Sequence, residues 1–477
     1  MAAPVTPAPT NPAPVAPPPA NPAPAPTSSP RRGLRGRWSD DHFTLEWMLV
    51  ALVTSAMALI APRIMAQPLW TPIHAVALGV VSNGIFQWSW FFSRGLLHFP
   101  VSGIARYGTF VRIVVLNVGI VALFVAMWSG SVVSAVIATV LICGAGLHQG
   151  IVLAVLARRY RENRFVPIVR YYSVAFFFFT LTCALGALLA YEMMAGDVPP
   201  WLVARADGIA VAHSVLGVGG WAGLTILATV VTLGLSMLHA RQSEVAWSAA
   251  AHALPFFVAG ILVACVGAVA DIPVMVGAGV LVFLVAGVGG ILRPLMQSFR
   301  LRKRSSHAVW PLLSGLAWLV LLLAVFAVES LMSADVTALR DVIISQLGIF
   351  LAASVGQVFV ASLEYLVPVA IGGGPTIQRV GDIAVSFQWP VRWLVRNVAL
   401  ALVLVVQMAG GASGVWASAV SADGTMQSLQ TLLFVVVLIC YGVDLVLVAF
   451  GAVRQLAAKK KKAAAAEMMR KRKAETR

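Results

Sequence analysis

Charged side chains are scarce in this chain. Only 11% of its residues are charged and 60% are hydrophobic, whereas a soluble domain carries roughly 25% charged residues. This composition excludes an ordinary soluble protein. Apolar runs of about twenty residues or more, each long enough to cross the hydrocarbon core of a bilayer as a helix, recur between residues 43 and 455. They predict an all-α, multi-pass membrane protein, because a transmembrane barrel would show short segments of alternating hydrophobicity.

Cysteine is also rare, and familiar catalytic motifs are absent. The four cysteines lie in four different apolar runs, and without a CxxC pair they predict no disulfide framework. The sequence has no Walker motif, no GxSxG and no HExxH, and no histidine follows His307. These absences argue against a nucleotide-driven pump, a serine hydrolase and a zinc protease.

Composition divides the chain into three regions. Residues 1–37 form a Pro/Ala-rich cytoplasmic tail with a basic end, and we predict that it is disordered because proline disfavours helices and little can be buried. Residues 38–455 form one transmembrane domain, and residues 456–477 form a basic cytoplasmic tail. We predict about twelve transmembrane helices in one bundle, at residues 43–62, 70–96, 110–128, 132–157, 168–194, 207–238, 246–270, 273–297, 308–332, 341–370, 390–411 and 427–453.

The distribution of charge predicts the orientation. Lys and Arg crowd the loops after the even-numbered spans, and acidic residues dominate the loops on the other side, with Arg63 as a small exception. By the positive-inside rule both termini are therefore cytoplasmic, in a protein of the plasma membrane. The net charge of +16 reflects this topology and the attraction of the basic tail to anionic lipids. It does not indicate nucleic-acid binding.

Two histidines stand at similar depth in predicted spans. His74 lies about one turn into the second span and His213 about two turns into the sixth, and both helices begin on the outer side. Two neutral imidazoles at one level could hold a metal ion or a haem iron. Each could instead hydrogen-bond a backbone carbonyl or water. His148, in the inner half of the fourth span, is a third candidate ligand.

Small residues follow His213 along the sixth span. Such a face lets another helix, or a flat cofactor, approach the backbone closely. His213 and Gly217 share a face at i,i+4 spacing, so that the histidine stands over a notch. The candidate packing glycines are Gly217, Gly219, Gly220 and Gly223.

The tenth span carries a polar stripe. At 100° per residue, Gln346, Gln357 and Glu364 fall within about 20° of one another, and such a stripe must face protein or water. Glu364 could relay protons or pair with an arginine on the cytoplasmic side. Asp444 lies well inside the twelfth span and needs a partner.

Four segments resemble a bacterial membrane family. They are "TPIHAVALGVVSNGIFQWSWFFSRGLLH" (71–98), "RYYSVAFFFFTLTCALGALLA" (170–190), "AHSVLGVGGWAGLTILATVVTLGLSMLHAR" (212–241) and "YLVPVAIGGGP" (365–375). The chain resembles the twelve-helix membrane module associated with some bacterial multicopper oxidases, which is similar to NnrS-like haem- and copper-binding proteins. These are distantly similar to the catalytic subunit of haem–copper oxidases.

The resemblance implies ligands but not a complete oxidase centre. In the haem–copper group a histidine of the second helix binds haem and one of the sixth binds copper, and His74 and His213 stand in those helices. The paired histidines of the seventh helix are reduced here to His252, and Gln357 and Glu364 stand in the tenth helix, where the group has histidines. The chain also lacks the soluble copper-oxidase domain, so we expect no multicopper oxidase activity.

Three functional hypotheses follow. The first is a haem- or copper-associated membrane protein that serves metal handling or nitrosative or redox stress rather than catalytic turnover, with a redox or copper protein as a possible partner. The second is a proton-coupled secondary transporter that uses the tenth-span stripe and Asp444. The third is a structural or assembly factor of the membrane.

Overall fold

The computed structural model describes residues 42–100, 103–239, 244–300, 306–409 and 424–476. Twelve helices in these ranges are long and apolar enough to span a membrane. A shorter helix, α11 (Pro375–Val385), precedes the last two. The spanning helices are α1 Phe43–Ile60, α2 Trp70–Leu97, α3 Tyr107–Ser129, α4 Val132–Arg159, α5 Val166–Met194, α6 Pro200–Met237, α7 Ala246–Val269, α8 Pro273–Gln297, α9 Val309–Met332, α10 Val336–Ile371, α12 Trp389–Met408 and α13 Ser428–Glu475.

The prediction of an all-α bundle with twelve spans is confirmed, and the described residues contain no strand. The largest differences from the predicted helix starts are at α6 and α10, which begin seven and five residues earlier. The added residues include Arg205 in α6 and Arg340 in α10, and charged residues lower the hydropathy by which a span is recognised. The starts of the two helices contact each other, since Arg340 and Thr337 of α10 contact the Asp207 carboxylate of α6.

Outer and central helices differ in burial. In the most apolar 18-residue segment of α6, 72% of the segment is buried inside the protein, against 28% in the corresponding segment of α1. Large apolar side chains stay exposed on outer helices, among them Val121, Val125, Val136 and Val140. An apolar exterior that surrounds buried polar groups is the arrangement that hydrocarbon requires. The exposed apolar faces are therefore the lipid-facing surface.

Two similar amide clusters each join three helices. In the first, Asn83 of α2 and Asn117 of α3 exchange hydrogen bonds, and the Trp47 indole of α1 donates to Asn117 Oδ1 at 2.8 Å. In the second, Gln357 of α10 and Asn397 of α12 exchange hydrogen bonds. Trp318 of α9 donates to Asn397 Oδ1 at 3.0 Å. Each cluster satisfies buried amides that would otherwise be costly in an apolar interior.

Several spanning helices contain π-helical turns. These lie at Ala75–Ser82 in α2, at Leu216–Gly223 and Val230–Gly234 in α6, at Val288–Leu292 in α8 and at Phe350–Gly356 in α10. A π-helical turn inserts an extra residue and redirects the side chains around it, and such turns are frequent at functional sites. In α2 the π-helical turn begins directly after His74, and in α6 it begins three residues after His213.

The last helix extends well past its apolar part. α13 continues to Glu475 through the basic segment of residues 456–477. Lys459 donates from Nζ to the carbonyl of Ile371 at 2.6 Å. Cations are favoured at the C-terminal end of a helix, where carbonyls lack partners, so that Lys459 caps α10. The predicted disordered tail of residues 1–37 lies outside the described residues.

Candidate functional site

The structure brings His74 and His213 together. Their ring centroids are 6.3 Å apart and the ring planes differ by 29°. His74 lies one turn into α2. His213 lies almost four turns into α6, deeper than the two turns predicted, because α6 begins at Pro200 and a helical turn takes about 3.6 residues. The additional turns of α6 extend past the start of α2, which brings both rings to one level.

Each of the two imidazole rings is held by a hydrogen bond at its own Nδ1. His74 Nδ1 lies 2.9 Å from the carbonyl oxygen of Trp70, and the two aromatic rings stack with centroids 4.2 Å apart. His213 Nδ1 lies 2.8 Å from the carbonyl oxygen of Thr182 in α5. A carbonyl only accepts, so each Nδ1 carries the hydrogen and each Nε2 keeps its lone pair. In the described part of the chain, neither Nε2 has a hydrogen-bond partner.

Thr182 and Gly186 of α5 position the His213 ring. The Thr182 hydroxyl donates to the carbonyl of His213 at 2.7 Å, so that the two residues are linked in both directions. A Cβ at Gly186 would lie 2.9 Å from His213 Cε1 and 3.2 Å from Nδ1. The absence of a side chain there therefore lets the imidazole lie flat against α5.

The two histidines line one cavity of about 390 Å³. Its wall comes from α2, α3, α4, α5, α6 and α10 and is mainly apolar, with Trp70, Phe179 and Trp221 among its aromatic members. Arg340 is the charged side chain among the described lining residues, and its Nε lies 3.4 Å from Asp207 Oδ1 near the start of α6. The cavity thus combines two imidazoles and a large apolar wall with one cation at the level where α10 begins.

The four glycines of α6 have different surroundings. Gly217 lines the histidine cavity. A Cβ at Gly220 would lie 2.7 Å from Phe178 Cβ of α5, so this glycine allows close helix packing. A Cβ at Gly223 would lie 2.8 Å from the Val218 carbonyl and 3.2 Å from Phe283 of α8. At Gly219 it would make only ordinary contacts, 3.6 Å or more from its neighbours.

His148 lies elsewhere. Its side chain is exposed on α4, and its Nδ1 is 3.4 Å from Arg112 Nη1 of α3. A guanidinium only donates, so His148 Nδ1 accepts from Arg112, and the lone pair of Nδ1 is not available to a metal ion. The structure does not bring His148 to the pair of His74 and His213. Across the described ranges, no group of three or more His, Cys, Asp or Glu residues is arranged to hold a metal ion.

The predicted stripe of α10 divides into separate contacts. Gln357 is fully buried in the amide cluster with Asn397. Gln346 lines a small apolar cavity of about 80 Å³ between α6, α7, α8, α9 and α10. Glu364 lies near the other end of α10, where Arg392 Nη1 donates to its Oε1 at 3.3 Å. The three side chains therefore do not form one continuous path.

Asp444 belongs to a buried ionic cluster with Glu364. Arg392 of α12 donates to both carboxylates, and Arg396 donates to the second oxygen of Asp444. Arg392 also donates to the carbonyls of Val385 and Phe387, which connects α11 to the cluster. Two cations facing two anions give a neutral cluster, which reduces the cost of burying charge.

Sequence reasoning missed Arg392, Arg396 and His307. The two arginines lie at the start of the predicted span 390–411, where Lys and Arg usually indicate topology rather than a site. In the structure they lie in the first turns of α12 and are buried. Their i,i+4 spacing, with both facing one side of a helix, is the signal that indicates partners. His307 has no role among the sequence-based predictions, yet its side chain is 8% exposed and lies 3.6 Å from Glu364.

The fold and these buried polar groups define an integral, multi-pass membrane protein. No protein-family model matches the chain, and no curated protein is significantly similar to it.

Proposed function

We propose that this chain is a haem- or copper-associated membrane protein in which His74 and His213 are the ligands. The observation that carries the proposal is the pair of imidazoles in one cavity, each with Nδ1 held by a carbonyl and Nε2 without a partner. Metal-binding histidines usually donate their other ring N–H to such a group, which fixes the tautomer and the ring orientation.

The spacing of the rings would allow both imidazoles to bind one metal ion, because metal–nitrogen bonds to histidine are about 2.0–2.1 Å long. The His74 and His213 centroids are 6.3 Å apart. Two nitrogen ligands suit a haem iron or a copper ion, and the apolar wall with Arg340 at one level suits a flat, apolar group that bears carboxylates. When bound, such a group supplies one-electron redox chemistry.

The ligand set supports binding or metal handling rather than turnover. His252 is exposed and its Nδ1 contacts the Ser248 carbonyl at 2.7 Å. In α10 the side chains of Gln357 and Glu364 are engaged by Asn397 and Arg392. We therefore propose a role in metal handling or in the response to nitrosative or redox stress, similar to the role of NnrS-like proteins, with a redox or copper protein as its partner.

We further propose that the protein lies in the plasma membrane with both termini cytoplasmic. The support is the basic end of the bundle, defined as the end where α2, α4, α6, α8 and α10 finish, which carries Arg158, Arg159 and Arg379. The basic extension of α13 lies at the same end, where anionic lipids attract it.

The first test is the absorption spectrum and metal content of the purified protein. Protein produced with haem and copper supplied is expected to show a Soret band that shifts on reduction, or copper bound at one ion per chain. An elemental analysis for iron and copper accompanies the spectrum. A colourless preparation that contains neither metal would overturn the proposal and favour the transporter or assembly hypotheses.

A second test moves the ligand without removing it. Alanine at Gly186 places a Cβ 2.9 Å from the His213 ring, whereas alanine at Gly217 meets only the Thr182 hydroxyl at 3.4 Å. Gly186→Ala is expected to weaken haem or copper binding about 10–100-fold, the range for changes around metal ligands, and Gly217→Ala to weaken it much less. If Gly186→Ala and Gly217→Ala bind haem or copper with equal affinity in titrations, the orientation of the His213 ring does not affect binding.

Proton-coupled transport remains a second candidate because carboxylates are buried in two spanning helices. Glu364 and Asp444 are both engaged by arginines. A transport cycle that used Asp444 would have to break its contacts with both arginines, which favours the first proposal.

A further inference from the structure

His307 lies between an exposed and a buried carboxylate. It belongs to the short turn before α9, at the basic end of the bundle. Its Nδ1 is 3.8 Å from Asp382 Oδ1 of α11, and its Nε2 is 3.6 Å from Glu364 Oε2 of α10. The Asp382 side chain is 56% exposed, whereas that of Glu364 is 4% exposed. The imidazole therefore connects solvent at Asp382 with the interior.

Both contacts of His307 are favourable only when the three groups together hold one proton more than a neutral imidazole and two ionised carboxylates carry. A neutral imidazole has one N–H donor and one lone pair, and an ionised carboxylate only accepts. When both carboxylates are ionised, a neutral His307 can donate to only one of them, and its lone pair faces the other. The second contact becomes favourable only when His307 or one of the carboxylates is protonated. The three groups thus form a site that gains or loses one proton.

The surrounding charges lie on four elements. Glu364 faces His307 from α10 and Asp382 from α11, while Arg392 and Arg396 of α12 and Asp444 of α13 complete the cluster behind Glu364. Burial lowers the pKa of His307, and Arg392 acts in the same direction, while Asp382 opposes them. His307 is therefore neutral at pH 7, so that it can accept a proton and pass it on.

His307 Nε2 is also one of the buried polar atoms without a hydrogen-bond partner in the described part of the chain. If His307 and Glu364 formed only a structural ion pair, Nε2 would be expected to make a direct hydrogen bond to Oε2, because an unpaired buried polar atom costs free energy. Its separation of 3.6 Å from Glu364 Oε2 exceeds a direct hydrogen bond. Contacts used for proton transfer are often long at rest and shorten when the proton moves.

We propose that His307 transfers protons between solvent at Asp382 and the buried carboxylate of Glu364. A hydronium ion gives its proton to the ionised Asp382 carboxylate and leaves water. The O–H bond of Asp382 then breaks, and the proton bonds to the Nδ1 lone pair of His307, which gives the imidazolium and restores the carboxylate. The N–H bond at Nε2 then breaks, its electron pair stays on nitrogen, and the proton bonds to Glu364 Oε2. The products are a neutral imidazole and a neutral Glu364 carboxyl group. Release follows the same steps in reverse, and neither direction depends on a bound metal.

The test follows protonation of Glu364 in the purified full-length protein after a rapid change of pH. Time-resolved infrared spectroscopy detects the carbonyl band of a protonated carboxyl group, and Glu364→Gln identifies the band by removing it. His307→Asn is expected to slow the appearance of this band at least tenfold, since a positioned proton-transfer group typically contributes about 10²–10⁴-fold. Asp382→Asn is expected to slow it less, because water also reaches the exposed end.

His252→Asn is the matched control. His252 is exposed on α7, and its hydrogen bonds in the described part of the chain are with Ser248 of its own helix, so the band should appear at the wild-type rate. Asp382→Asn alters an exposed side chain and serves as a second variant in case His307→Asn does not fold, which thermal unfolding reveals. A wild-type rate in His307→Asn, or in Asp382→Asn when that is the only folded variant, would overturn the proposal. So would a Glu364 band that is missing between about pH 5 and 8, the range in which histidine titrates.

Discussion

Replacing His213 by alanine is expected to abolish haem or copper binding at the stoichiometry of the wild-type protein. The change removes one of the two imidazoles that line the cavity, and it leaves Thr182 without its ring partner. Because removing the support of a metal ligand already costs about 10–100-fold in affinity, removing the ligand should cost at least 100-fold. His74→Ala should have the same effect, and both variants are measured by titration with haem and with copper.

Two controls separate loss of a ligand from loss of the fold. His148→Ala and His252→Ala remove exposed histidines that lie away from the pair, and both should bind as the wild type does. Free imidazole added to His213→Ala should enter the space left by the ring and restore part of the binding. Wild-type affinity in both His74→Ala and His213→Ala would show that these residues are not the ligands. Equal losses in all four histidine variants would point to a nonspecific effect on the protein.

The spanning helices could be predicted from the sequence because hydropathy depends only on the transfer of apolar side chains from water to hydrocarbon. The pairing of helices could not, since an apolar face packs against many partners equally well. Asn83 illustrates the difference. An amide inside a span needs a hydrogen-bond partner, but only the fold identifies that partner as Asn117, to which Trp47 also donates.

The two candidate sites were predictable to different degrees. The closeness of His74 and His213 agrees with the expectation of similar depth, but not with the distance on which it was based, because α6 begins at Pro200 and His213 lies almost four turns from that start. The π-helical turns beside them could not be predicted, because they contain the same apolar residues as an α-helix. The ionic cluster was only half recognised. Glu364 and Asp444 stood out as carboxylates in apolar runs, whereas Arg392 and Arg396 were hidden by the usual association of basic residues with loops.

Replacing Asp444 by asparagine is expected to be the most destabilising single change in the ionic cluster. Asp444 accepts hydrogen bonds from Arg392 and Arg396, and all three side chains are buried. Arg392 keeps Glu364 as a partner after the change, but Arg396 loses its carboxylate. A buried charge without a partner costs about 3–5 kcal/mol. Thermal unfolding in detergent, followed by tryptophan fluorescence, should therefore show a clear decrease in the midpoint.

A second substitution tests whether the unpaired charge is the cause. Arg396→Gln in the Asp444→Asn background restores neutrality, because it removes the cation that has lost its partner, and it should raise the unfolding midpoint above that of Asp444→Asn alone. Glu329→Gln, at an exposed carboxylate of α9, controls for the loss of one negative charge and should unfold like the wild type. If Arg396→Gln lowers the midpoint of Asp444→Asn further, packing of Arg396 on the Tyr441 ring at 4.8 Å contributes more than its charge. The cluster would then stabilise the bundle chiefly through side-chain packing rather than through charge pairing.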